Sequence, residues 1–295
     1  IVPPSPPQII LASSRVRIWH PGCRQLLLAL PAFTRPATAA GIDTLHDDGA
    51  DHRLALDACH IITNHAANER DCYLSKDRAG QDRVLQHSDA LAPGKYYYQP
   101  GPPSSRTIAN YPIVTDFAAW RYPKKIPDHW TRPRSVKEKL ELRAKHAFSQ
   151  PEDFPYVVSI EDEGCVVTKQ FSASECVRLV PLDHEDWFVC NGMNPYIWGY
   201  DNRTSDPSNG LTLRMDLADC LEWHGFVFFP AGNGKFMTYV CRPLIDYVQL
   251  LHRRLVTIPP RVSDEFLYAR FGHTIISLLR MGPHLNTFPI PEGVK

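Results

Sequence analysis

An α+β fold is what this sequence predicts: a β-rich N-terminal module, then a ββα module followed by C-terminal helices. Three observations carry that expectation. Apolar runs with strand-like alternation dominate the first 120 residues, as in Arg15-Val-Arg-Ile-Trp-His20. The chain holds 27 prolines, which punctuate a loop-rich fold rather than a helical bundle. Helical spacing appears mainly after residue 121.

The elements follow in order. Residues 1–14 are Pro-rich and read as a lead-in. Arg15–His20 and Leu26–Phe33 read as strands, and residues 34–53, with Asp43, Asp47, Asp48 and Asp51, as an exposed loop. Asp57–Ile62 reads as a short buried element. Tyr96–Tyr98 and Tyr111–Val114 read as strands around a loop at Pro100–Ser105. This defines a first module, 1–120. Residues 121–156 form a basic linker. Between Arg121 and His146 there are nine Lys or Arg against three acids, with a Ser135 cap and good helix formers after it. A solvated linker helix is the plain reading, and a phosphate-contacting helix the other. Residues 157–295 form the third segment. Cys165–Thr168 and Cys176–Pro181 read as strands, Thr212–Trp223 as a helix, and Phe226–Phe229 and Met237–Cys241 as strands. Leu244–Leu255 and Ser263–Arg280 read as closing helices.

Composition narrows the function classes. The 295 residues are 43% hydrophobic and 22% charged, so a sizeable core can be buried. Formal net charge is zero, which argues against a dedicated nucleic-acid binder. The eight cysteines contain no CxxC pair and are too sparse for a disulfide scaffold. They read as small buried residues in a reducing, cytoplasmic setting. No apolar stretch is long enough for a membrane span, and no signal peptide is evident.

The central segment is richest in pattern: Gly164-Cys-Val-Val-Thr168, Glu175-Cys-Val-Arg-Leu-Val-Pro181, Trp187-Phe188, Asn191-Gly-Met-Asn194, Asp206-Pro-Ser-Asn-Gly-Leu-Thr-Leu-Arg-Met-Asp-Leu217 and His224-Gly-Phe-Val-Phe-Phe-Pro230. These spaced blocks resemble the fungal branch of the HNH endonuclease domain, whose pattern runs C-x-V-T-G, E-x-x-H-L-V-P, W-F, N-x-M, D-x-x-N-x-L-x-L-R-x-D-L-H and F-x-F-x-P. Leu26-Leu-Leu-Ala-Leu-Pro31 and Tyr111-Pro112 with Phe117-Ala-Ala-Trp120-Arg121 extend the resemblance toward the N-terminus.

The resemblance implies a histidine base, a divalent metal held from the helix, and an orienting asparagine. This chain departs at both histidines. Arg178 stands at the base position and Ala218 at the helix ligand position, while Asn209 is retained. Arginine stays protonated and cannot accept a proton. Loss of the base alone costs on the order of 10²–10⁴ in rate. Thr168 is followed by Lys169 where the family has glycine.

Retained residues are those that pack; missing ones are those that do chemistry. The expectation is therefore a catalytically degenerate HNH-like frame, repurposed for metal-free binding and cyclisation, of pericyclic Diels–Alder type, of an apolar fungal metabolite. Arg178, His184, Asn209 and His224 are the candidate polar, catalytic residues. Trp187, Tyr196, Trp198, Met215 and Trp223 are the candidate substrate-binding residues. No metal ligand set and no cofactor is expected. The alternative is an HNH-type endonuclease or nucleic-acid-binding protein with a non-standard site, in which Asp216 and Asp219 could hold a cation. A partner-binding protein without chemistry is the third class.

Overall fold

The computed structural model describes residues 10–34, 49–64, 71–85, 90–101, 111–147, 150–199, 203–242 and 246–281. Helices and several small sheets are mixed, an α+β architecture. The chain divides into two compact units. One comprises residues 1–115, 240–252 and 278–295; the other, 116–239 and 253–277. The basic stretch from Arg121 falls within the second unit, and the C-terminal segment is divided between the two.

In the first unit, β1 (Ile10–Trp19) pairs antiparallel with β2 (Leu26–Thr34). β1 also pairs parallel with β6 (Gly94–Gln99), which takes β4 (Tyr73–Ser75) antiparallel on its other edge. β3 (Ala50–Asp51) and β5 (Ala90–Leu91) form a separate ribbon. The helix α1 runs from His52 to Ile62, longer than the element expected from Asp57. Asp51 explains the earlier start, because its carboxylate accepts the Leu54 amide at 2.9 Å and caps the helix. The end of the expected 34–53 loop is therefore β3 and the first turn of α1; its residues 35–48, and residues 102–105 of the Pro/Gly/Ser loop, lie outside the described residues. Tyr111–Val114 is not a strand. It is held by side-chain and single backbone bonds, Tyr111 Oη to Tyr98 O at 3.3 Å and Val114 N to Ile62 O at 2.8 Å.

The second unit carries the motifs. α2 (Val136–His146) begins in a capping box made by Ser135 and Glu138. α3 (Phe154–Asp162) packs on the hairpin of β7 (Ser174–Arg178) and β8 (Gly210–Arg214). The pair is antiparallel, with Val177 opposite Leu211 and Arg178 opposite Gly210. α4 (Glu185–Cys190) lies in the long connection between them, and α5 (Met215–Glu222) follows β8 directly. The helix expected over Thr212–Trp223 is thus shorter: Leu211 and Leu213 are completely buried in β8, and strand pairing overrides helical spacing up to Arg214. Cys165–Thr168 is a turn, not a strand. Gly164 and Lys169 adopt positive φ on either side of it, and Cys165 N and O bond to Gln170 O and Lys169 N.

β9 (Phe226–Gly232), β10 (Lys235–Val240) and β11 (Arg254–Val256) make a three-stranded sheet. Of the helix expected over Leu244–Leu255, whose first two positions lie outside the described residues, the described part forms α6 (Val248–Leu251), and the chain then turns at Arg253, which has positive φ, and enters β11. α7 (Asp264–Met281) closes the chain's described part. Trp120, Trp130, Tyr268 and Phe271 form the aromatic centre of this unit.

Candidate functional site

The hairpin places Arg178 and Asn209 next to each other in register but gives them different work. Asn209 is fully buried. Its Oδ1 accepts the Val180 amide at 2.8 Å, and its Nδ2 donates to Val180 O at 2.9 Å and Thr204 O at 2.8 Å. Both donor positions and one of the two acceptor positions of that amide are thus spent on backbone. Arg178 is half-buried; its guanidinium lies 4.4 Å over the Phe154 ring, and Nη2 donates to Ser205 Oγ at 3.3 Å. Gly210, opposite it, is needed for close approach, since a Cβ there would meet the Phe154 ring at 2.8 Å and Val158 at 2.7 Å.

Beneath the hairpin, Arg261 is fully buried. It donates to Pro207 O, to Gly210 O at 2.7 Å and to Asp162 Oδ1, while Asp162 Oδ2 accepts the Thr212 amide at 2.5 Å. Burial pushes the Asp162 carboxyl up, outweighing the pull of Arg261 and the amide in the other direction.

The divalent cation implied by the resemblance finds no fitting ligands here. Ala218 is buried on α5 and offers no donor. Asp216 gives both oxygens to Arg214, at 2.6 Å and 2.7 Å. Among the described residues, no group of three or more His, Cys, Asp or Glu side chains is gathered to hold a metal ion.

His184 and His224 lie in a different place, and they meet at a residue that local spacing did not single out. His273, on α7, approaches His184 with Nε2 to Nε2 at 3.2 Å, and its ring centroid is 5.0 Å from that of His224. Phe117 packs edge-on against His184 and His273, both at 4.9 Å. His224 ends α5 with φ of 57°, in the left-handed position usually filled by glycine, and Gly225 N closes onto Cys220 O at 2.8 Å. Burial, then the charge of Arg270 and the two neighbouring imidazoles, push His273 down to about 2. It is therefore neutral at ordinary pH. Its Nδ1 is buried without a partner. A lone pair is tolerated there better than an N–H, which favours the tautomer of His273 with its proton on Nε2, facing His184.

The five candidate substrate-binding residues separate into four settings. Trp187 is core: it stacks parallel to Trp120 at 5.5 Å, contacts Phe117 at 4.4 Å and donates its indole N–H to Trp120 O at 2.8 Å. Met215 and Trp223 are 53% and 65% exposed and do not line the concavity described next. Tyr196 is half-buried against Tyr122, ring centroids 6.0 Å apart, and its carbonyl accepts from Ser263 Oγ at 2.5 Å.

Trp198 alone of the five lines a described concavity. This space of about 600 Å³ is bounded by Trp198, Ile197, Gly199 and Asn194 on one side and by Arg143, Ala144 and Ala147 at the end of α2 on the other. Its size lies within the range of small-molecule sites, roughly 300–1,000 Å³. The Trp198 wall is fixed from behind. Asp206, fully buried, accepts the Trp198 amide at 3.2 Å, the Gly199 amide at 2.8 Å and the Ser208 amide at 2.9 Å. The Trp198 indole N–H donates to Arg261 O.

None of the eight cysteines is in a disulfide, and only Cys23 and Cys190 are exposed. No helix among the described residues is long and apolar enough to cross a membrane. Comparison of the chain with family models, curated proteins and solved structures found no match.

Proposed function

We propose that this chain is a metal-free, HNH-like scaffold that binds an apolar small molecule and folds it for cyclisation. The concavity beside Trp198 is the observation that carries this reading. It offers an indole and three alkyl side chains for an apolar body, with Asn194 and Arg143 as the polar points. The hairpin at the resembling position supports it from the other side, since Arg178 and Ala218 replace the groups that hydrolysis requires and Asn209 is committed to backbone.

The chemistry suited to such a site is pericyclic. Bonds form and break within one bound molecule, with no proton, electron or leaving group transferred. Holding diene and dienophile ends together removes an entropic barrier, and a hydrogen bond from Asn194 or Arg143 to a conjugated carbonyl stabilises charge as it develops.

Trp198 fluorescence should change on titration with the ligand, and Trp198→Ala should lower affinity by about tenfold or more while far-UV circular dichroism stays unchanged. Conversion is read by chromatography of candidate polyenes with and without the protein. Absence of saturable binding by any apolar probe would sink the reading.

A second reading keeps nucleic acid as the ligand. α2 is exposed along most of its length, and it carries Lys137, Lys139, Arg143 and Lys145. Nicking of plasmid DNA with Mg²⁺ or Mn²⁺, absent from Arg178→Ala, would establish that reading instead.

A further inference from the structure

We propose that the ligand of the Trp198 concavity is an elongated apolar molecule with an anionic head, a carboxylate, and that Arg143 is the residue that pairs with it. This rests on the concavity being a small-molecule site.

The first observation is charge left unspent. Arg143 lines the concavity, is exposed, and makes no ion pair or hydrogen bond with any described residue. The cations around it in sequence are mostly committed. Arg132 pairs with Asp264 at 2.5 Å, Lys137 with Glu141 at 3.7 Å and Lys145 with Glu161 at 2.9 Å.

The second observation is that the described lining carries no charge opposing an incoming anion. Among the described residues, no acidic side chain lines the concavity. Asp206, behind the wall, has its oxygens occupied by the amides of Trp198, Gly199 and Ser208 and by Ser208 Oγ.

The third is shape. Positions 136, 140, 143, 144 and 147 share one face of α2. Val136 and Leu140 are 76% and 61% exposed, and they extend the apolar face of Ala144 and Ala147 beyond the concavity, past Arg143 for about 10 Å at roughly 1.5 Å per residue. A long hydrocarbon or polyene body fits that strip, whereas a compact polar metabolite would leave it uncovered.

Arg143 also lies in the last turn of α2, where a cation is favoured by the helix dipole. That role alone would leave ligand affinity untouched when the charge is removed, which gives the test its contrast.

The experiment displaces a neutral apolar dye, N-phenyl-1-naphthylamine, with dodecanoate and with dodecanol at pH 7.5 and low salt. The acid is expected to bind about tenfold more tightly than the alcohol, a preference that falls with added salt. Arg143→Gln should reduce the gap to less than about twofold, and Arg143→Lys should keep part of it. Equal binding of acid and alcohol, or a gap that survives Arg143→Gln, overturns the inference while dye binding still upholds the site. No dye binding at all removes both. Displacement of the acid by a short DNA duplex, lost in Arg143→Gln, would assign Arg143 to phosphate and also overturn it.

Discussion

The hairpin around Asn209 and the concavity beside Trp198 lie in one unit and use polar groups in opposite ways. In the hairpin the carboxylates and the amide are satisfied internally, Asn209 on backbone, Asp216 on Arg214 and Asp162 on Arg261, although Arg178 Nε and the neighbouring Thr204 hydroxyl are buried without a hydrogen-bond partner. At the concavity Arg143 is unspent. A polar group that closes a fold cannot also meet a ligand without the fold giving something up. The contrast therefore separates a structural frame from the surface where recognition can occur, and it places recognition away from the motif that the sequence makes most visible.

Three changes test that separation, from the largest expected effect to the smallest. Arg261→Met leaves the Asp162 carboxylate buried without its partner and should cost about 3–5 kcal/mol in urea unfolding. Replacing Asp162 by leucine in the same chain should recover much of that loss, because an apolar pair removes the desolvation penalty. If the double variant is as unstable as the single one, the network is not the brace described here.

Asn209→Ala strips partners from Val180 and Thr204 and should cost on the order of 2–3 kcal/mol. Measured below its transition, dye affinity at the concavity should stay within about twofold of the parent. A large loss of affinity would join the two regions that we separate.

The third concerns pH. The folded state holds His273 down at about 2 against an ordinary value of 6.5, so the unfolded chain takes up the proton first. This part of stability is intact above about pH 6.5 and is lost as pH falls from there toward 2, by at most about 1.4 kcal/mol per pH unit. His184, His224, Arg270, Asp183 and Glu222 are the titratable or charged groups near it or its charged neighbour. His273→Phe should flatten the acid limb of stability between pH 6.5 and 5, and an unchanged slope would show that other groups set it.

Much of the framework was readable from local pattern. β1, β2, β6, β9 and α7 follow apolar runs and helical spacing, because burial of a strand face or helix stripe leaves a periodic trace. Elements set by a few special contacts were not. The turn at Cys165 depends on positive φ at Gly164 and at Lys169, which carries no glycine signature. The switch from strand to helix at Arg214 depends on cross-strand pairing with Ser174. Of the nine candidate site residues, Trp198 was legible as an aromatic in a motif-rich segment, but the same composition describes Trp187, which stacks in the core. Arg143 was visible only as one of many basic residues.

The α+β class, the strand and helix material and the lack of histidine at positions 178 and 218 are already present in the order of residues along the chain. Those are properties of composition and local order. Only the tertiary structure decided that His184 and His224 converge on His273, that Asn209 is consumed by backbone, and that Arg143 faces Trp198 across an open space. Apart from the bond of Asn209 to Thr204, each of these joins residues at least 29 positions apart in the chain, and long-range proximity is fixed by packing of whole elements rather than by any periodicity within them.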